Sequence, residues 1–294
     1  MTSCVEVHQV HKSFGENRAL AGLSFTAEAG RITSVLGPNG AGKSTAMSIC
    51  EGLQRADSGQ VRVLGMDPAE QPALLRPRVG VMIQDGGLPV MARAEELLRH
   101  VGRMYARPRS VDDLIETLGL APFARTSVRR LSGGQRQRLA MAIALVGRPD
   151  LVFLDEPSAG LDPQARLAVW AMIDQLRADG VSVVLTTHLM DEAARLSDHV
   201  VIIDHGQVIA QGSVADLTGA PATDQPEDTA AASGLVLSGT ITAEVRTAVE
   251  DLARTHQLTV HPQPGSAAAA PGATPASRHT LEDVFLQLTG RSLR

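Results

Sequence analysis

The stretch RITSVLGPNGAGKST, Arg31 to Thr45, decides how the chain is read. Its apolar opening, RITSVLG, reads as a strand, and a helix is expected from about Lys43 to Leu53 after the glycine-rich turn. Strand, loop and helix in that order are the building unit of a parallel α/β sheet. Gly37, Gly42, Lys43 and Ser44 match the spacing G-x-x-x-x-G-K-[ST]. Glycines at these places let successive backbone N–H groups turn inward around a phosphate, and the helix start adds partial positive charge. Lys43 supplies a compact charge for β- and γ-phosphates, where the rigid fork of arginine would substitute poorly. The Ser44 hydroxyl can ligate Mg²⁺. Lysine is otherwise scarce: Lys12 and Lys43 are the only two in the chain.

Working outward, Val5–Val10 and Leu20–Ala27 read as strands around a polar turn, HKSFGENR, and QVRVLG and RVGVMIQ as further short strands. From Leu88 to Val146 the pattern becomes helical, in MARAEELLRHVGRMYA, SVDDLIETLGL and SGGQRQRLAMAIALVG. This predicts a helical subdomain inserted into the α/β domain at about 88–146. Strand character then returns. LVFLDEP and VSVVLTTH are continuous apolar runs, as in strands buried on both faces. PQARLAVWAMIDQLRADG and MDEAARLS read as helices, and HVVIIDHGQVIAQG as a hairpin turning near His205-Gly206. Residues 1–218 therefore form one domain. Residues 219–233 read as a linker, and 234–294 as a small C-terminal α+β extension with a flexible 263–278 and a helix capped at Thr280 and stopped at Gly290.

A nucleotide site needs a second anchor for Mg²⁺. Asp155 ends the strand LVFLD, where a carboxylate at the C-terminal edge of a sheet can face the loop, and Glu156 follows it. Adjacent strand residues point oppositely, so once the chain bends at Pro157 the two can hold different tasks. Asp155 would bind metal and Glu156 would polarise a water as general base. Gln84 and His188 also end strands. Each alone reads most simply as surface. Their weight comes from lining one crevice with Asp155. Gln84 could touch Mg²⁺ or the attacking water, and His188 the γ-phosphate. Phe14 could stack on adenine or belong to the core.

The chain carries a second glycine-rich helix start, LSGGQ, at Leu131–Gln135. Ser132 and Gln135 form a capping-box pattern, S-x-x-Q, and Gly133 and Gly134 leave no side chain to block a ligand. A second anion site is redundant within one chain that already has Lys43. It makes sense if it meets nucleotide held by another copy, in a two-fold, head-to-tail pair burying two nucleotides.

With GPNGAGKST, Gln84, LSGGQ, LVFLDEP, SAGLD and His188 in order, residues 1 to about 217 resemble the ATPase subunit of an ATP-binding-cassette (ABC) transporter. The resemblance implies a RecA-like phosphate-loop NTPase core with an N-terminal antiparallel β subdomain and the helical insert. It implies ATP on Gly37, Pro38, Asn39, Gly40, Ala41, Gly42, Lys43, Ser44 and Thr45, and Mg²⁺ on Ser44, Asp155 and Gln84. Glu156 is then the catalytic base, with Lys43 and His188 beside it, and Gln84 the lever to a membrane partner. Ser132, Gly133, Gly134 and Gln135 act across an ATP-bound homodimer, Asp162 couples the two sites, and Phe14 is the adenine-stacking aromatic. DGGLPVMARAEELL and TLEDVFLQLTG are similar to the drug- and antibiotic-exporting, daunorubicin-resistance-type branch.

Composition bounds the remaining classes. The chain has 294 residues, 44% hydrophobic, net charge −5 and 2 cysteines. A packed core is within reach, a disulfide framework is not, and no global charge favours nucleic acid. No run approaches ~18 consecutive apolar residues, so a separate transmembrane permease is required, with this chain cytoplasmic and peripheral on the inner face of the cell membrane. The competing class is a soluble ABC ATPase working on nucleic acid or ribosomes. The single motif set, the absence of a long coiled-coil interruption and the acidic balance weigh against it.

Overall fold

A computed structural model describes residues 2–82, 87–219 and 280–290. The chain divides into two compact units, Met1–Pro221 with His279–Arg294, and Ala222–Arg278. The second unit lies outside the described residues, and with it most of the sequence reading of a small α+β extension, including the flexible 263–278. Gln84 lies outside them as well.

The first unit opens with a long hairpin, β1 (Ser3–Phe14) and β2 (Asn17–Glu28). The strands run further than the sequence predicts. The eight-residue polar turn shrinks to Gly15-Glu16, because Gly15 takes φ 62° and closes Phe14 directly onto Asn17. The polar residues of HKSFGENR sit on the ends of the two strands. β4 (Ser58–Val63) pairs antiparallel with β1, giving a three-stranded sheet in the order β2-β1-β4.

The expected parallel sheet is present and has six strands. β3 (Ile32–Leu36), β5 (Val79–Met82), β6 (Leu151–Asp155), β7 (Ser182–Thr186), β8 (His199–Asp204) and β9 (Gln207–Gly212) lie in the order β5-β6-β7-β3-β8-β9. Five strands are parallel; β9 returns antiparallel on β8 through a turn at His205 and Gly206, both left-handed. β6 shows why the apolar runs are continuous. Val152 and Leu154 face a core shared with the helices, while Leu151 and Phe153 face a core shared with the three-stranded sheet. With both faces covered, the residues of β6 before Asp155 are all apolar. Because β6, β7 and β3 are neighbours, Asp155, Thr186 and Gly37 come out at one edge of the sheet.

Helices fill the crossovers. α1 (Lys43–Cys50) follows the glycine loop, and the single turn α2 (Pro72–Leu75) precedes β5. The insert contains α3 (Ala94–Gly102), α4 (Val111–Thr117) and α5 (Gly133–Leu145). α5 lies so close on β5 that a Cβ on Gly80 would meet the Ala144 carbonyl at 2.2 Å. α6 (Pro163–Ala178) begins with proline after an Asp162 cap, and α7 (Met190–Leu196) and α8 (Val214–Thr218) follow.

α9 (Leu281–Thr289) has the anticipated ends: Thr280 and Asp283 form a capping box, and Gly290 takes φ 64°. Its place differs from the sequence reading, which put it in the C-terminal extension. It packs on α7 and α8 within the first unit. The reason is its apolar face: Leu281 and Phe285, one turn apart, bury against Leu36, Ala193, Val200 and Ile202. Phe285 is 1% exposed, so Phe285→Ala should cost about 3–5 kcal/mol. The urea midpoint of the full chain checks this; an unchanged midpoint would mean α9 is not part of the core.

Candidate functional site

The glycine loop is shaped by contacts that exclude side chains. A Cβ on Gly37 would lie 2.3 Å from the Ile203 carbonyl oxygen. Gly42, the cap of α1, takes φ 103°, and a Cβ there would meet the Ala19 carbonyl at 2.6 Å. Inside the loop the Lys43 ammonium donates to the carbonyls of Gly37 (2.6 Å) and Pro38 (3.1 Å). Two of its three donors hold the loop and one remains for a ligand. Lys43 is 8% exposed. Burial pulls its pKa down, against the opposing charges of Glu156 and Asp155. The structure therefore brings together the lysine and both carboxylates that the sequence singled out. Ser44, in the first turn, is exposed, and Thr45 half-buried.

Asp155 is held by its strand neighbour: the Thr186 hydroxyl donates to Asp155 Oδ1. Its pKa is raised, chiefly by burial and further by Glu156, with Thr186 and Lys43 opposing. Thr186 also receives the Glu156 N–H, at its carbonyl and its hydroxyl, both at 3.1 Å. The sequence reading placed the bend at Pro157. It comes one residue earlier, since Glu156 itself takes φ 49°. A left-handed conformation at a non-glycine residue costs on the order of 1 kcal/mol. Here it swings the Glu156 carboxylate toward His188, whose Nδ1 lies 3.2 Å from Glu156 Oε2. The Gln137 side-chain amide, on α5, donates to the Glu156 carbonyl. Thr186 and Gln137 were missed by the sequence reading. Neither carried a signal of its own in the sequence: Thr186 matters because β7 lies beside β6, and Gln137 because α5 reaches the Glu156 carbonyl.

The remaining sequence candidates lie apart from this cluster. Both halves of the capping box form: Gln135 N–H donates to Ser132 Oγ (3.3 Å) and Ser132 N–H to Gln135 Oε1 (3.0 Å). The two glycines differ. A Cβ on Gly133 would meet nothing within 4 Å, while one on Gly134 would lie 2.8 Å from Leu161 Cδ2. Gly134 therefore serves packing within the chain, and Gly133 alone faces open space. Asp162 is exposed and caps α6 through Ala165 N–H (3.0 Å). Phe14 is 48% exposed, which removes the core alternative. The Lys12 ammonium sits 5.5 Å from its ring centroid and 2.8 Å from Asp57.

Among the described residues no group of three or more His, Cys, Asp or Glu side chains forms a metal cage. A Mg²⁺ ion keeps waters and takes one or two protein ligands together with substrate phosphates. Asp155 Oδ2 and the exposed Ser44 hydroxyl fit such a partial donor set.

A family model described as ABC transporter matches residues 20–159. The Nod factor export ATP-binding protein I of Ralstonia nicotianae is 36% identical over 309 residues, covering 100% of this chain and 96% of that protein.

The chain belongs to the ABC transporter family.

It is the ATP-hydrolysing subunit of such a transporter. The daunorubicin resistance ATP-binding protein DrrA3 of Streptomyces coeruleorubidus is 38% identical over 226 residues, 73% of this chain and 70% of that protein. Among solved structures, an ATP-binding subunit of an ABC transporter superposes with TM-score 0.68 at 26% identity, over 74% of this chain and 95% of the other. The cassette MJ0796, a dimer in a post-hydrolysis state bound to ADP and Pi, gives TM-score 0.64 at 27% identity, over 71% and 98%. The phosphate-loop fold, with its antiparallel β subdomain and inserted helices, is thus that of an ABC ATPase. Among the described residues no helix is long and apolar enough to cross a membrane.

One ionisable group near the site was not foreseen. Glu51 directly follows α1 and lines a groove of about 290 Å³ with Leu53, Leu75, Val101, Tyr105 and Ile143. Burial, and then the charge of Asp155, push its pKa up to about 7. A carboxylate after the apolar end of a helix, where the dipole also opposes it, was the available signal. A raised folded pKa means the folded chain holds a proton that the unfolded chain releases near 4.5. Stability should then fall as pH rises from about 4.5 to about 7. Glu51→Gln should flatten that part of the profile and stabilise the chain at pH 8 by on the order of 2 kcal/mol. Denaturation midpoints across pH check it; a parallel, unshifted profile would contradict the burial of this carboxyl.

Proposed function

We propose that two copies of this chain close head to tail around two ATP molecules, and that closure drives a separate membrane permease. The observation that carries the reading is the convergence of Lys43, Asp155, Glu156 and His188 at one sheet edge. Backbone N–H groups between Asn39 and Thr45 wrap the phosphates, and Lys43 turns its third donor to them. Ser44 and Asp155, with Gln84, hold Mg²⁺, which when bound neutralises phosphate charge. Glu156 accepts a proton from the attacking water as its oxygen bonds to the γ-phosphorus. The bond to the bridging oxygen breaks, ADP leaves, and the proton passes on to the released phosphate. His188, 3.2 Å from Glu156, orients that carboxylate and meets the γ-phosphate. Phe14 offers its exposed face to adenine.

Ser132 and Gly133 at the start of α5 serve the neighbour's nucleotide, with Gln135 holding the cap. The Ser132 oxygen accepts from Gln135, so its own O–H stays free to donate. Gly134 and Asp162 support this edge from within the chain. The permease docks on the helical subdomain near Gln84; exposed Val90, Met91 and Met104 on that subdomain supply the apolar contact. ATP-dependent closure of a two-state pair is enough to move it. By likeness to the resistance and Nod factor proteins, the cargo leaves the cell and is a drug, antibiotic or lipid-like compound. The chain then sits on the cytoplasmic face of the membrane.

Lys43→Ala should abolish tight ATP binding, and Glu156→Gln should bind ATP, stop turnover and accumulate as a dimer. Titration calorimetry and light scattering of the full chain at saturating ATP, repeated with the permease recovered by pull-down from solubilised membranes, read both. A Glu156→Gln chain that remains monomeric in both settings would rule out the closed pair. Recovery of ribosomes or DNA in place of a membrane protein would overturn the transport assignment.

A further inference from the structure

Glu192, on α7, is fully buried, and the mechanism above does not use it. Two hydrogen bonds reach its Oε1, from Ser158 Oγ at 2.5 Å and Trp170 Nε1 at 2.8 Å. Oε2 is buried with no hydrogen-bond partner. A carboxylate buried on these terms is poor value as a stabiliser, since its desolvation is only half answered. An apolar residue would hold α7 to α6 as well. What the carboxylate adds is a link between three segments with tasks at the site.

The three segments are distinct. α7 starts two residues after His188, and Glu192 lies in its first turn. Ser158 is fully buried two residues after Glu156, in a stretch wound by turns from Glu156 O to Ala159 N–H and from Ser158 O to Leu161 N–H. That stretch ends at Leu161, whose Cδ2 packs against the backbone of Gly134, and at Asp162, the cap of α6. Trp170 is on α6. A continuous path thus runs from His188 through α7, Glu192, Ser158 and Leu161 to the start of α5, the edge that serves the neighbouring copy.

We infer that Glu192 is a positioning residue that makes the Ser158–Asp162 loop move with α7, so that contact of His188 with a γ-phosphate sets the posture of the α5 start toward the other nucleotide. This rests on the proposed closed pair. It predicts that the two centres lose their coupling when the Glu192–Ser158 bond is removed, although neither residue touches nucleotide.

Turnover of the full chain against ATP concentration tests it, alone and with the co-purified permease. Ser158→Ala, a small change that the fold tolerates, should lower kcat about tenfold, the effect of losing one charge-assisted hydrogen bond. It should bring the Hill coefficient to about 1 and leave ATP affinity of the monomer unchanged. Glu192→Ala should do the same, and the double variant no more. Glu192→Gln keeps an acceptor for both donors and should restore kcat to within about twofold. Trp170→Phe removes the other donor without touching the loop and should leave kcat and cooperativity intact. A silent Ser158→Ala, a Trp170→Phe that reproduces the loss, or a loss accompanied by weaker monomer binding would each overturn the relay. A wild-type chain without ATP-dependent dimers would instead overturn the closed pair, whatever these variants do.

Discussion

A buried ammonium facing two carboxylates organises this end of the molecule. Lys43 is pinned by two carbonyls of its own loop, and its charge is opposed by burial and supported by Asp155 and Glu156. Two of these charges are uncomfortable where they are: Lys43 is pulled toward neutrality and Asp155 toward protonation. Neither is placed for stability. Each gains from a polyphosphate and a divalent cation, which would supply the missing opposite charges. The parallel sheet makes the arrangement possible, because β6, β7 and β3 deliver Asp155, Thr186 and the loop to adjacent strand ends.

The strain nearby has the same logic. Glu156 takes a left-handed backbone conformation, and its N–H is captured by Thr186 from the next strand. In extended conformation Glu156 would point to the opposite face from Asp155. Turned as it is, it meets His188 and hands the chain on to Ser158, which is sealed inside by Glu192. The loop from Glu156 to Asp162 is thus fastened at its ends and in its middle. The two glycine-rich helix starts also divide their labour. The first is closed around Lys43; the second is capped by its own Ser132 and Gln135 and leaves only the Gly133 side open.

Much of this was legible in the chain before the structure. Continuous apolar runs such as LVFLD announced strands covered on both faces, and the glycine spacing named Lys43 and Ser44. What escaped depends on contacts between distant segments. Thr186 matters because β7 lies beside β6, Gly134 because Leu161 packs over it, and α9 belongs to the first unit because Phe285 finds Val200 and Ile202. Local patterning carries no record of such partners. The short hairpin turn was missed for a simpler reason: polarity at strand ends looks the same as polarity in a loop.

The central claim is that a working centre is assembled from two copies. Gly133 gives a clean way to test it, since a side chain there meets nothing in its own chain and Glu in the first turn favours the helix while repelling phosphate. Lys43→Ala and Gly133→Glu chains should each be inactive alone. Mixed one to one, half the pairs contain one intact centre, and turnover should rise above the background of either variant, to at most roughly a quarter of wild type per chain. Turnover that stays at the background of either variant, or a Gly133→Glu chain that hydrolyses ATP at full rate alone, would contradict the shared centre.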